Sequence, residues 1–192
     1  MRFRTKLYAS IGSLLLFITI IVMILMNMLE QSTVKMNVVI NDLNERIEIA
    51  STIKEETSII SGVLNTMLND RGEAINSDLL NAWENSNSSL QMAMESLEKK
   101  DNQEKSQELI GKLKILLESY QNMGQQALLE RKINPNAELT PAFLTDIERF
   151  GSRMAQLAEL LHGLQEQGMK DELLRSKDTY NWAVENIYIY LV

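Results

Sequence analysis

Between Leu7 and Leu29 the chain carries no charged residue. As a helix those 23 residues reach about 35 Å at ~1.5 Å per residue, enough to cross a hydrocarbon layer of about 30 Å with slight tilt. This stretch constrains the fold most, because a segment in lipid must satisfy its backbone groups internally and so must be helical. Arg2, Arg4 and Lys6 precede it, while Glu30 and Asp42 are among the first charges after it. The positive-inside bias therefore predicts a cytoplasmic N-terminus, with the residues after the span outside the cytoplasm. A cleaved signal peptide would have a shorter apolar region of about 7–15 residues ending in an A-x-A-like site. Neither holds, so an uncleaved anchor in the lipid bilayer is expected.

The rest of the 192-residue chain suits one domain of ordinary size. Two prolines and eight glycines punctuate the whole chain and aromatics are few, a mix that suits helices over strands. The fold class is all-α. Cysteine is absent, which excludes a disulfide, a thiolate nucleophile and any Cys-type metal site. Without its three N-terminal cations the chain has 16 Lys and Arg against 26 Asp and Glu, a net charge of −10. That surface repels nucleic acid and anionic lipid.

Apolar residues recur at helical steps in four segments. Met36, Ile40, Leu43, Ile47, Ala50, Ile53, Ile60, Leu64 and Met67 form the first stripe, interrupted by Thr57. No Gly or Pro parts it from the span, so one helix continues out of the bilayer and ends near Asn69 to Gly72. Leu80, Trp83, Leu90, Met94 and Leu97 form the second stripe, with Asn76, Ser77 and Asp78 as N-cap candidates. Lys99 to Gln103 reads as a connection. Leu109, Leu113, Leu116, Tyr120, Met123 and Ala127 form the third stripe, ending near Asn134-Pro135-Asn136. The fourth starts at Thr140-Pro141, cap then proline at the first helical position, and runs through Phe143, Ile147, Phe150, Met154, Leu157, Leu161 and Leu164. It loses phase over Gln165 to Glu172 and resumes at Leu173 and Tyr180, which predicts a kink or register shift.

Short connections favour antiparallel neighbours, so the expected assembly is an up-down-up-down antiparallel four-helix bundle continuous with the N-terminal transmembrane helix. A coiled-coil rod is the alternative. The first helix climbs roughly 40 residues beyond the span, so one descending from Pro141 regains the membrane near residue 181. Trp182, Tyr188 and Tyr190 followed by Leu191 and Val192 then read as an interfacial belt opening a second transmembrane helix. A plain amphipathic tail is the alternative. The expected organisation is a cytoplasmic start at 1–6, a span at 7–29, an extracytoplasmic bundle at 30–186 and an exit helix from 187.

No catalytic constellation stands out, and no enzyme activity, cofactor or metal site is expected. His162 is the one histidine, so neither a Ser-His-Asp triad nor a multi-histidine metal site can be built. Gly111-Lys112 lacks the preceding glycine and strand of a phosphate loop. Asn87 falls on the second apolar stripe, where a polar residue fixes register or meets a ligand, as Thr57 and Tyr120 also could. Arg71, Arg131, Lys132, Arg149 and Arg153 are interleaved with Glu73, Glu130, Asp146 and Glu148. Surface pairing and an anion site are both open there.

This layout resembles the four-helix-bundle sensor domains of bacterial transmembrane receptors, as in methyl-accepting chemotaxis proteins, histidine kinases and diguanylate cyclases. The resemblance lies in the pattern: basic start, span Leu7 to Leu29, long first helix, two shorter ones, long last helix and aromatic-apolar exit. It implies dimerisation through the first helix, small-molecule or protein ligands at the membrane-distal end and a signal passed inward by the last helix. Of the arginines with which some members grip amino acids, Arg71 is the one that carries over. Geometry adds Trp83, Tyr120, Arg149 and Arg153 as candidate ligand-binding residues, the aromatics supplying apolar area and the arginines a fork for a carboxylate. A single-span tether whose helices bind another protein is the competing reading. An apolar run encoded after Val192 favours the receptor, and a stop codon the tether.

Overall fold

The computed structural model describes residues 2–69, 77–134 and 139–191, and no side chain before Tyr8, at Ala9 or after Trp182. Among these residues there is no strand. Four helices follow one another: α1 (Arg2–Asn69), α2 (Ser77–Lys100), α3 (Glu104–Ile133) and α4 (Pro141–Leu191). Of the three N-cap candidates, Ser77 and Asp78 lie within α2, while Asn76, the turn from Asp70 through Arg71 to Gly72, Pro135 and Asn136 lie outside the described residues. The side chains that would form the exit belt beyond Trp182 also lie outside them.

The chain divides into two compact units, Met1–Asp42 and Leu43–Val192. In the first, Leu14, Leu15, Leu16, Phe17, Met23 and Met26 are all exposed. α1 contains the one stretch among the described residues that is long and apolar enough to cross a membrane, and none of that stretch is buried. Apolar surface of this extent is at home in lipid.

In the second unit all four helices contribute to one core. Leu64 of α1 and Trp83 of α2 crowd the position of Gly124 on α3, where an added Cβ would lie 2.9 Å from the Trp83 ring. Ser61 of α1 and Tyr120 of α3 similarly flank Gly151 of α4. Local sequence explains the helix ends. Thr140 accepts the Phe143 N–H at 3.3 Å through its hydroxyl, with Pro141 at the first helical position, as the sequence leads one to expect. Asp78 in the first turn of α2 and Lys99 and Lys100 in its last complement the helix dipole.

The first and second stripes are reproduced closely. Leu43, Ala50, Ile53, Ile60, Leu64 and Met67 are buried, as are Trp83, Leu90, Met94 and Leu97. Thr57 is fully buried on the first stripe and donates to the Ile53 carbonyl at 2.7 Å. The third and fourth stripes are rotated by one residue at every second step. On α3 the buried line is Ile110, Leu113, Leu117, Tyr120, Gly124, Ala127 and Arg131, whereas Leu109, Leu116 and Met123 are only partly buried. On α4 it is Ile147, Gly151, Met154, Ala158, Leu161 and Gln165, with Phe143, Phe150 and Leu157 packed at its flank. At four of the shifted steps the buried line holds a small or polar residue, Gly124, Gly151, Ala158 or Gln165, and bulkier neighbours such as Met123, Phe150 and Leu157 pack at its margin. At Ile110 and Leu117 one large aliphatic side chain takes the place of another. α4 passes Gly163 and Gly168 as one uninterrupted helix. What the expected kink marked is the end of the core, since Leu173, Leu174, Tyr180 and Trp182 are exposed.

Candidate functional site

Trp83 and Tyr120 are core residues of the second unit. The Trp83 indole N–H is buried and meets no acceptor among the described residues. Burial pushes the Tyr120 phenol up to about 12. The neighbouring Ser61 hydroxyl opposes that shift, but it forms no hydrogen bond of good geometry, so desolvation dominates. Arg149 and Arg153 stand at exposed positions on α4, apart from the enclosed side chains of Trp83 and Tyr120. Arg149 pairs with Asp146 at 2.7 Å, one turn away on the same helix. Arg71 lies outside the described residues.

Asn87 is buried on the second stripe with both ends of its amide engaged. Its Nδ2 donates to the Trp83 carbonyl at 2.7 Å and its Oδ1 accepts from Gln121 of α3 at 2.9 Å. The first bond holds the amide in place on α2 and the second sets α2 against α3, the register-fixing role of a polar residue on an apolar seam.

Two further features were not visible in the sequence. The first is a buried polar cluster around Asp101, in the connection between α2 and α3. Its Oδ1 accepts from the Gln103 N–H at 3.0 Å and from the Arg46 guanidinium of α1 at 3.2 Å. Its Oδ2 accepts from the Gln165 amide of α4 at 2.5 Å, and the same amide reaches the Ser106 hydroxyl at 3.3 Å. Gln107 closes the turn by donating to the carbonyls of Glu98 and Asp101. Asp101 and Ser106 are fully buried and Gln165 nearly so, and each has partners, as buried polar groups require. Arg131 is the matching case near the end of α1: its guanidinium donates to the carbonyls of Met67 and Leu68. A cation on the last carbonyls of a helix satisfies them and complements the dipole. The signal for both was position, since Asp101 and Arg131 each stand at a helix end.

The second feature is an open groove of about 340 Å³ between α3 and α4, lined by Lys112, Ile115 and Leu116 on one side and Arg153, Gln156, Leu157 and Leu160 on the other. Ile115 and Leu160 are 67% and 60% exposed. They belong to no apolar stripe, which was the available sequence signal. Among the described residues no cluster of His, Asp and Glu could hold a metal ion. No protein-family model, curated protein or solved structure matches the chain.

Proposed function

We propose that the chain is the input module of a bacterial transmembrane signalling receptor. Residues 7–29 cross the membrane from a cytoplasmic N-terminus, and 30–186 form an extracytoplasmic up-down-up-down four-helix bundle. A second span begins near 187, and the bundle pairs with a second copy through α1. Antiparallel order is supported by the cross-helix neighbours. Trp83 with Gly124 and Asn87 with Gln121 run in opposite senses along α2 and α3. Lys54 with Glu159 and Ser61 with Gly151 do the same along α1 and α4. A small molecule or extracytoplasmic protein is sensed in the distal half, where Arg71, Trp83, Tyr120, Arg149 and Arg153 are the candidates.

The observation that carries this reading is the course of α4. Gln165 is the last buried residue among its described side chains, yet the helix continues to Leu191. At Gln165 it is tied through Asp101 to Arg46 of α1, the helix that contains the membrane span. A helix that outlasts its core and is fastened where it leaves suits the transmission of a small displacement. The tether reading draws on Leu129 and Ile133, which are apolar and exposed on α3.

The test is a chimera joining the chain to the cytoplasmic half of a histidine kinase. Releasing α4 by Gln165→Leu should shift basal kinase output several-fold in membranes. Output identical to the parent chimera, with the variant folded and inserted, would defeat the relay.

A further inference from the structure

We propose that the groove between α3 and α4 binds a small organic anion with one carboxylate and an apolar body. This rests on the small-molecule arm of the sensor reading at Arg153 and deepens it, giving that residue a place and a ligand chemistry. The chain has a formal net charge of −7, yet both charged side chains lining the groove, Lys112 and Arg153, are cations. They are not equivalent. Lys112 is held by Glu108 on its own helix at 2.5 Å, and the Glu108 carboxyl is kept below its ordinary range by that hydrogen bond and by the lysine charge. Arg153 makes no ion pair among the described residues, in contrast to Arg149 one turn away. Its guanidinium offers a planar donor pair that matches a carboxylate.

The rest of the groove is apolar. Leu116 and Leu157 form a partly buried floor that packs on the core, and Ile115 and Leu160 stand exposed at the walls. An apolar body seated there covers surface that water now wets, while Gln156 adds a neutral polar group at the rim. A volume near 340 Å³ lies at the low end of small-molecule sites, which fits a single ring or a short branched chain. The carboxylate sits on Arg153, with the weakened charge of Lys112 contributing at longer range.

The test uses the full chain in nanodiscs of zwitterionic lipid and a benzoate carrying a photoreactive diazirine. Cross-linked residues are mapped by mass spectrometry. Labelling should concentrate on Ile115 and Leu160 and their neighbours, and 4-isopropylbenzoate should compete for it. The neutral 4-isopropylbenzamide, of the same shape, should compete about tenfold less well, the usual scale for loss of one charged hydrogen-bonding partner. Arg153→Gln should reduce labelling by a similar factor and Leu160→Glu should abolish it, whereas Lys170→Gln, elsewhere on α4, should change nothing. Equal competition by acid and amide would mean apolar adhesion only and would overturn the proposal. Labelling spread evenly over the chain, or unchanged in Arg153→Gln, would do the same. A silent kinase chimera would leave these outcomes untouched, so the two proposals fail separately.

Discussion

Leu64 and Arg46 stand 18 residues apart on α1, about 27 Å along its axis, and the core around each is closed differently. Around Leu64 the closure is apolar, with the Trp83 ring and Leu64 filling the space that Gly124 leaves open. Around Arg46 it is polar, with Asp101 meeting groups from α1, α4 and its own connection through directional bonds. Apolar contacts stabilise in proportion to area and tolerate sliding, whereas hydrogen bonds fix distances and are costly to leave half made. The Trp83 region therefore contributes more to stability, and the Asp101 region more to holding α4 at one height against α1.

The sharpest way to break this contrast is to empty the apolar region. Trp83→Ala should cost about 3–5 kcal/mol, read from urea unfolding of the full chain by circular dichroism. Asp101→Ala should cost about 3 kcal/mol by stranding the Gln165 amide and the Arg46 guanidinium, and Asp101→Asn less, since it keeps an acceptor. A larger loss for Asp101→Ala than for Trp83→Ala would reverse the comparison. Hydrogen exchange should separate the two further, with faster exchange in α4 around Gln165 for the Asp101 variants alone.

Tyr120 gives a pH test of the apolar interior. Its folded pKa, near 12, lies above the ordinary value of 10.0, so the folded state favours the neutral phenol. Stability should be flat with pH below about 10 and fall as pH rises towards 12, by about 3 kcal/mol in all. Tyr120→Phe should remove that alkaline loss. Gly124→Ala is the smallest effect. The added methyl meets the Trp83 ring, and after the gain in helix propensity of about 1 kcal/mol the net loss should still be about 1 kcal/mol.

The helices were legible because periodicity and end signals are local. Thr140-Pro141 marks the start of α4, and Asn87 stands out as a polar residue on an apolar stripe. On α3 and α4, apolar bulk as the mark of burial favours Met123, Phe150 and Leu157 over Gly124, Gly151 and Ala158, and it cannot choose between Leu116 and Leu117. At Gly124 and Gly151 the reverse holds, since a side chain from another helix, the Trp83 ring at the first and the Ser61 hydroxyl at the second, occupies the room a side chain would need. Asp101 reads in the sequence as part of a solvated connection, and its burial depends on Arg46 and Gln165, each more than 50 residues away. Arg131 reads as one of the surface arginines because the carbonyls it meets belong to α1. Of the candidate site residues, Trp83 and Tyr120 were legible as apolar positions. The groove was not, since it depends on how α3 and α4 meet.

The connection between α2 and α3 bears on the order of assembly. Only Asp101, Asn102 and Gln103 separate the two helices, and the bonds from Gln103 and Gln107 to Asp101 are local in sequence. Closing so short a loop costs little chain entropy, so α2 and α3 are the pair that can find each other before the remaining helices arrive. Substitutions on their shared seam, such as Asn87→Ala or Leu113→Ala, should slow folding. Those on α4, such as Met154→Ala or Leu161→Ala, should mainly quicken unfolding. Stopped-flow rates that put α4 in the transition state instead would show that assembly begins elsewhere.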